Sequence, residues 1–184
     1  MQKYLHSIND NVQAKLKNWI EHVSEQQDRS VTGKFNMSAA LRLLNIMVGR
    51  SIPFASRNGF KVIDFRPGYI KALIPLKPNR NHFNAMYAGA LFTVTELPAG
   101  IISSICFDKR FIPILKDLKI DFIHVAKSDV TVEFEIPPAQ LKQLESEANE
   151  HGKSSFVLEG EIKDLDDVVV ATSYANYQIR LRNS

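Results

Sequence analysis

Residues 81–107, NHFNAMYAGALFTVTELPAGIISSICF, carry one formally charged side chain, Glu96, in an otherwise mostly apolar run. The run opens on Asn81, His82 and Asn84, passes the small residues Ala88, Gly89 and Ala90, and then follows a helical pattern. A helix that is apolar around most of its circumference is stable when something encloses it. A carboxylate in its middle is costly unless it is paired or used. The stretch therefore predicts a central helix wrapped by a sheet, with a polar opening at its start and one acid set into it. A membrane span is the competing reading of this segment. It is disfavoured by Glu96, Pro98, Gly89, Gly100 and the Ser103–Ser104 pair within the run, and by strand patterns on either side.

On the N-terminal side the period is two. FKVIDF and YIKALIPL, residues 60–65 and 69–76, predict two strands about a turn at Pro67–Gly68. Pro75 and Pro78 place the second strand at an edge or end it there. Before them, Leu5, Ile8, Val12, Leu16, Trp19, Ile20 and Val23 predict a helix over residues 4–24. Gln26–Lys34, polar and containing Gly33, reads as a loop, and Ser38 opens a second helix that ends near Gly49 and is closed by Pro53.

On the C-terminal side, LKIDFIHVA (118–126) alternates, with Leu118, Ile120, Phe122, His124 and Ala126 on one face. His124 is accordingly expected in a core or an interface. DVTVEFEI (129–136) puts Val130, Val132, Phe134 and Ile136 inward. Pro137–Pro138 starts a short helix stopped by Gly152, and strands follow at SSFVLEGEIK (154–163) and VVVATSYANYQIRL (168–181). The last strand shows Val169, Ala171 and Ala175 on one face and Val168, Val170 and Tyr174 on the other. Two apolar faces call for a second partner, and a dimer is the simplest source of one.

The chain has 184 residues and 45% hydrophobic content, enough for one domain with a sizeable core. Its net charge of +3 is too mild to imply nucleic acid, and no basic cluster runs along a face. The single cysteine, Cys106, forbids an intramolecular disulfide and reads as an inert, buried thiol. No spacing among the five histidines suggests a metal site, and the expectation is of no metal and no cofactor. The opening MQKYLHSINDNVQ lacks a continuous apolar core, so a soluble, cytoplasmic protein without membrane or nucleic-acid partners is expected.

Helices, two strands, a long buried helix, two strands, a short helix and two strands make an α+β order in which a sheet can curl around the long helix. This order resembles the hotdog fold, a curved antiparallel sheet wrapped around one long central helix. It is similar in particular to the acyl-CoA thioesterases of the phenylacetate-pathway type and their uncharacterised relatives. The motif in those enzymes is Asn, Gly three residues on, His six residues on, Gly-Gly, and an acid nine residues after the His. Here the spacing gives Asn81, Asn84 for the Gly, Tyr87 for the His, Ala88–Gly89, and Glu96 at the acid position. The likeness covers roughly residues 60–181. It implies residues 1–55 as an N-terminal helical extension packed on a hotdog domain of residues 56–184. It further implies a homodimer, or a dimer of dimers, with an acyl-CoA or acyl-carrier substrate bound at the subunit interface.

Thioester hydrolysis needs an activated water and fixed donors for the oxyanion. The start of a buried helix offers unpaired N–H groups and the positive end of its dipole, and small residues allow close approach. Gly89, with Ala88, is therefore expected to polarise the carbonyl. Glu96 is expected to act as general base on water or to attack the carbonyl itself, its pKa raised by apolar neighbours. Held by Thr93, Thr95 or a dimer-related group, it would instead be structural. Gly89 and Glu96 lie roughly 10 Å apart by helix rise, too far to meet one atom. In the resembling enzymes the acid comes from the opposite subunit.

Asn81 orients a water or holds the loop. Asn84 caps the helix. His82 is a neutral donor or acceptor near the site, or structural. Tyr87 aims its hydroxyl at the carbonyl or fills the space of the missing imidazole. Phe83, Met86, Phe92 and Met47 are candidates to line an acyl slot, and Arg80, Lys109 and Arg110 to meet phosphates. The alternatives are a non-catalytic protein of the same fold that binds acyl or other hydrophobic ligands, a hydratase or dehydratase using His82, and a purely structural partner protein.

Overall fold

The computed structural model describes residues 31–182, with side chains from residue 38. The helix expected over residues 4–24 lies outside the described residues. The order is α1 (Val31–Ser51), α2 (Pro53–Arg57), β1 (Lys61–Arg66), β2 (Tyr69–Ile74), α3 (Ala88–Cys106), β3 (Phe111–Phe122), β4 (Val130–Glu135), α4 (Pro138–His151), β5 (Lys153–Lys163) and β6 (Val169–Leu181). The six strands form one antiparallel sheet in the order β1-β2-β4-β5-β6-β3. Bulges between Val62 and Asp64, Leu115 and Asp117, and Ile162 and Lys163 bend the strands, and the sheet curves around α3. This is the α+β hotdog architecture, with α1 and α2 preceding the sheet.

The alternation that predicts the strands also sets their inward faces. Ile70, Ala72 and Ile74 of β2 and Val130, Val132 and Phe134 of β4 are buried against α3. From α3, Leu91, Val94, Leu97 and Ile102 enter the same core. Burying four such side chains is worth about 8 kcal/mol, at about 2 each. Pro98 inside the helix costs about 3 kcal/mol or more, because it removes a donor to the Val94 carbonyl. Core packing wins, and the helix runs through its proline. By length and composition α3 could cross a bilayer, yet here the sheet takes up most of its surface.

The turn between β1 and β2 depends on Gly68. Its φ is +79°, and a Cβ there would stand 2.5 Å from the carbonyl oxygen of Ile136. The Gly68 carbonyl accepts the Ile136 N–H at 2.7 Å, and its own N–H donates to Cys106 Sγ at 3.3 Å. The one cysteine thus ties the end of α3 to this turn, and it is half-buried. Gly68→Ala should lower unfolding stability by about 2 kcal/mol or more, from left-handed strain plus displacement of a backbone carbonyl. Urea unfolding measures it; a change below about 0.5 kcal/mol would refute the account.

Four details correct the sequence reading. Residues 31–34 belong to α1 and not to a loop, since a lone Gly33 costs only about 1 kcal/mol in a helix. Pro53 follows the end of α1 but also opens α2, where its missing N–H is harmless. Strand β3 begins at Phe111, seven residues before the alternating run. It tolerates Pro113 because it is an edge strand, and the bulge after Leu115 resets its faces. It also ends at Phe122, so His124 lies beyond it and is exposed instead of sitting in the core; Phe122 is exposed as well.

The fourth detail is β6. Its outer face carries Thr172, Asn176, Gln178 and Arg180 around a half-exposed Tyr174, and Val170 is buried. Of the expected second apolar face, Val168 and Tyr174 are exposed, Val170 is buried, and the rest of the outer face is polar. Pro75 does end β2, which is an interior strand.

Candidate functional site

The entry to α3 is a wound loop built by Asn81. Its Oδ1 accepts the N–H groups of Phe83 (2.9 Å) and Ala85 (3.1 Å), while its backbone N–H donates to the Ala85 carbonyl at 2.8 Å. The amide oxygen is thereby committed to holding the loop. Asn84 sits at φ +59°, a left-handed conformation that asparagine tolerates better than most residues. Glycine would take up the same conformation without steric cost. Asn84 is not the N-cap; Tyr87 is, with extended backbone and no side-chain cap. The Tyr87 N–H donates to the carbonyl of buried Asn79 at 2.8 Å, and the Met86 N–H to Ala126 at 2.9 Å.

These bonds fix where the first turn of α3 begins. Ala90 donates back to the Tyr87 carbonyl at 2.9 Å, while the N–H groups of Ala88 and Gly89 meet no acceptor among the described residues. Ala88 is exposed and Gly89 half-buried. The Tyr87 ring lies against Gly89, so that a Cβ on Gly89 would come within 2.5 Å of Tyr87 Cε1. Tyr87 itself is 61% exposed, so its ring can swing away. His82 is exposed and rests against the Phe83 ring at 3.8 Å. Phe83 is exposed, and Phe92 faces Phe122 with ring centroids 6.4 Å apart. Met86 is buried in the core, so it does not share a slot with Phe83.

Glu96 lies two turns further along the same face of α3. Neither Thr93 nor Thr95 holds it, because their hydroxyls donate to the helix's own Gly89 and Leu91 carbonyls, each at 2.8 Å. No hydrogen bond or ion pair engages the Glu96 carboxylate among the described residues. Partial burial holds its carboxyl above the ordinary carboxylate range. Below it, the hydroxyl of buried Tyr177 donates to the Glu96 backbone carbonyl at 3.0 Å. Burial, and secondarily the Glu96 charge, push that phenol well above its usual pKa. Sequence reasoning missed Tyr177; its only signal is an inward register on β6.

The carboxylate opens on a cavity of about 240 Å³ between α1 and α3. Leu44, Met47 and Val48 of α1 form one wall, and Gly100, Ile101 and Ser104 of α3 continue the other from Glu96. Met47 is thus the one expected slot residue that meets the acid. A larger concavity, about 530 Å³, lies on the outer sheet face among Lys119, Asp121, Glu159 and Glu161. Lys119 pairs with Asp121 at 2.8 Å and Glu161 with Lys163 at 3.0 Å, and the concavity gathers none of the expected site residues.

Arg80 lies at the start of α3, and Lys109 and Arg110 follow its end, with Arg110 paired to Asp108 at 3.1 Å. Within one chain these cations cannot meet a single phosphate.

Because Glu96 keeps its proton to higher pH in the folded chain, its contribution to stability is present below the unfolded carboxyl pKa. That contribution is lost as pH rises through the folded value. Glu96→Gln should therefore melt above the parent near neutral pH, with the gap closing toward about pH 4. Equal melting temperatures across that range would contradict a desolvated carboxylate.

A Pseudomonas aeruginosa protein of unknown function, named a probable thioesterase, is 39% identical, covering 77% of this chain and 95% of its own, with a TM-score of 0.74. A Haemophilus influenzae thioesterase at 15% identity covers 78% of this chain and 92% of its own, with a TM-score of 0.63. A Staphylococcus aureus thioesterase variant at 20% identity covers 70% and 98%, with a TM-score of 0.57. The last two show the shared fold alone, and none of these three is named as a phenylacetate-pathway enzyme. No curated protein matches. Residues 41–179 match the family described as "Domain of unknown function (DUF4442)". That match spans most of the sequence and agrees with the fold of the 39%-identical relative, so the chain belongs to this family, within the thioesterase-like hotdog superfamily.

Proposed function

We propose that this protein is a cytoplasmic acyl-CoA or acyl-carrier thioesterase that works as a homodimer, with Glu96 as the general base. The single observation that carries the reading is the Glu96 carboxylate: partly buried, without a partner among the described residues, and raised in pKa beside an apolar cavity. In the proposed step Glu96 takes a proton from water as the water oxygen bonds to the thioester carbon. The carbonyl electron pair moves onto oxygen, where the N–H groups of Ala88 and Gly89 receive it. Collapse expels the thiolate, which regains the proton from Glu96, leaving a free acid and a thiol.

Gly89 and Glu96 of one chain cannot serve one carbonyl, so the donors are assigned to the other subunit. Exposed Phe83, Phe92, Phe122, Ile123 and Val125, at the start of α3 and the end of the edge strand β3, support such a partner. A binding protein of the same fold is the second reading, favoured by Tyr87 in the histidine position. Hydration chemistry through His82 is not favoured, because that ring lies exposed in the loop before α3 and rests against Phe83. Thiol release from short, medium, long and aromatic acyl-CoAs, with wild type and Glu96→Gln, tests the proposal. No turnover across the panel would shift the function to binding alone.

A further inference from the structure

We infer that the cavity between α1 and α3 is an acyl-chain channel that takes a medium-length, unbranched chain, and that Gly100 sets the length it admits. This rests on the reading of Glu96 as the acid beside the thioester. Gly100 stands one turn beyond Glu96 and lines the cavity. Among the described residues a Cβ built on it meets nothing within 4 Å, and its φ is not positive, so neither their packing nor backbone strain calls for glycine. Glycine weakens a helix interior, so the open space over it is what the residue provides.

The lining gives the occupant's chemistry. Ser104 donates its hydroxyl to the Gly100 carbonyl at 2.7 Å, and among the described residues Glu96 is the one charged group on walls that are apolar apart from Ser51 and Ser104. An aliphatic tail running away from Glu96 fits; a sugar or a polar head would find few partners. At about 240 Å³ the cavity is small for a ligand pocket, which suits a single chain of moderate length better than a bulky acyl group. The span from Glu96 past Gly100 to Ser104 is roughly 12 Å by helix rise, comparable to an extended chain of about eight carbons. The wall formed by Leu44 and Met47 ties this selection to α1.

The test uses butyl-, octyl- and dodecyl-CoA thioethers, which cannot be hydrolysed, titrated calorimetrically into the full-length protein. Wild type should bind the octyl thioether most tightly. Gly100→Leu should lower the octyl-to-butyl affinity ratio about tenfold, as a side chain takes the place of about two buried methylenes. Gly100→Ala should shift the ratio in the same direction by a smaller factor. It carries the test alone if the leucine variant melts below the parent. A ratio that both variants leave within twofold overturns the inference, as does a groove that binds no thioether. Because the measurement needs no turnover, the two readings fail separately. Gly100-dependent octyl binding without hydrolysis keeps the channel and removes the enzyme. Hydrolysis with an unmoved ratio keeps the enzyme and removes the channel.

Discussion

Glu96→Gln is expected to lower thioester turnover by about a hundredfold or more while the fold survives. The substitution keeps size and shape and removes only the ability to accept a proton. General-base catalysis typically contributes about 10²–10⁴-fold, which sets the scale of the loss. In the wild type, kcat/KM should fall on the acid side with an apparent pKa above that of a solvated glutamate, since burial raises the carboxyl. The residual activity of the glutamine variant should lack that acid limb. Slow turnover unchanged by the mutation would place the chemistry elsewhere. The same variant should be the more thermostable one near neutral pH, a pairing expected where an acid is kept partly desolvated for use.

The long helix was legible because one charge in 27 residues leaves few other readings, and β4 was legible because Val130, Val132, Phe134 and Ile136 keep an unbroken alternation. The site divides differently. Spacing singles out Asn81, Gly89 and Glu96 as candidates; Asn81 holds the loop that enters α3, Gly89 lies in its first turn, and Glu96 follows two turns on. Met86 could not be assigned from the sequence. It sits in a loop, and only its N–H bond to Ala126, forty residues on, shows that the loop is pinned into the core.

The β3 faces were misread for a local reason: the bulge after Leu115 shifts the period, and the strand stops before His124. The Glu96 cavity was hidden for a nonlocal one. Its walls come from helices about fifty residues apart, and no periodicity within either records the other. Tyr177 is a third case, because a hydroxyl donated to a helix carbonyl leaves no trace in strand alternation.

Mixing a Glu96→Gln chain with a Gly89→Val chain should restore activity that neither parent has. Gly89→Val is expected to abolish turnover by a hundredfold or more, because its methyl groups would occupy the approach to the N–H groups of Ala88 and Gly89. The helix should still form: the clash at 2.5 Å is with the Tyr87 ring, which is exposed enough to move. If Glu96 of one subunit serves a carbonyl held by Gly89 of the other, each mixed dimer has one intact site and one doubly altered site. Random pairing makes half the dimers mixed, so recovery should approach about one quarter of wild-type activity per site. A site contained within one subunit predicts no recovery, because every chain in the mixture then lacks one member. Folded mixed dimers that stay at the parental level would thus leave Gly89 and Glu96 to one chain. At roughly 10 Å apart along the helix, they could then not act on the same carbonyl.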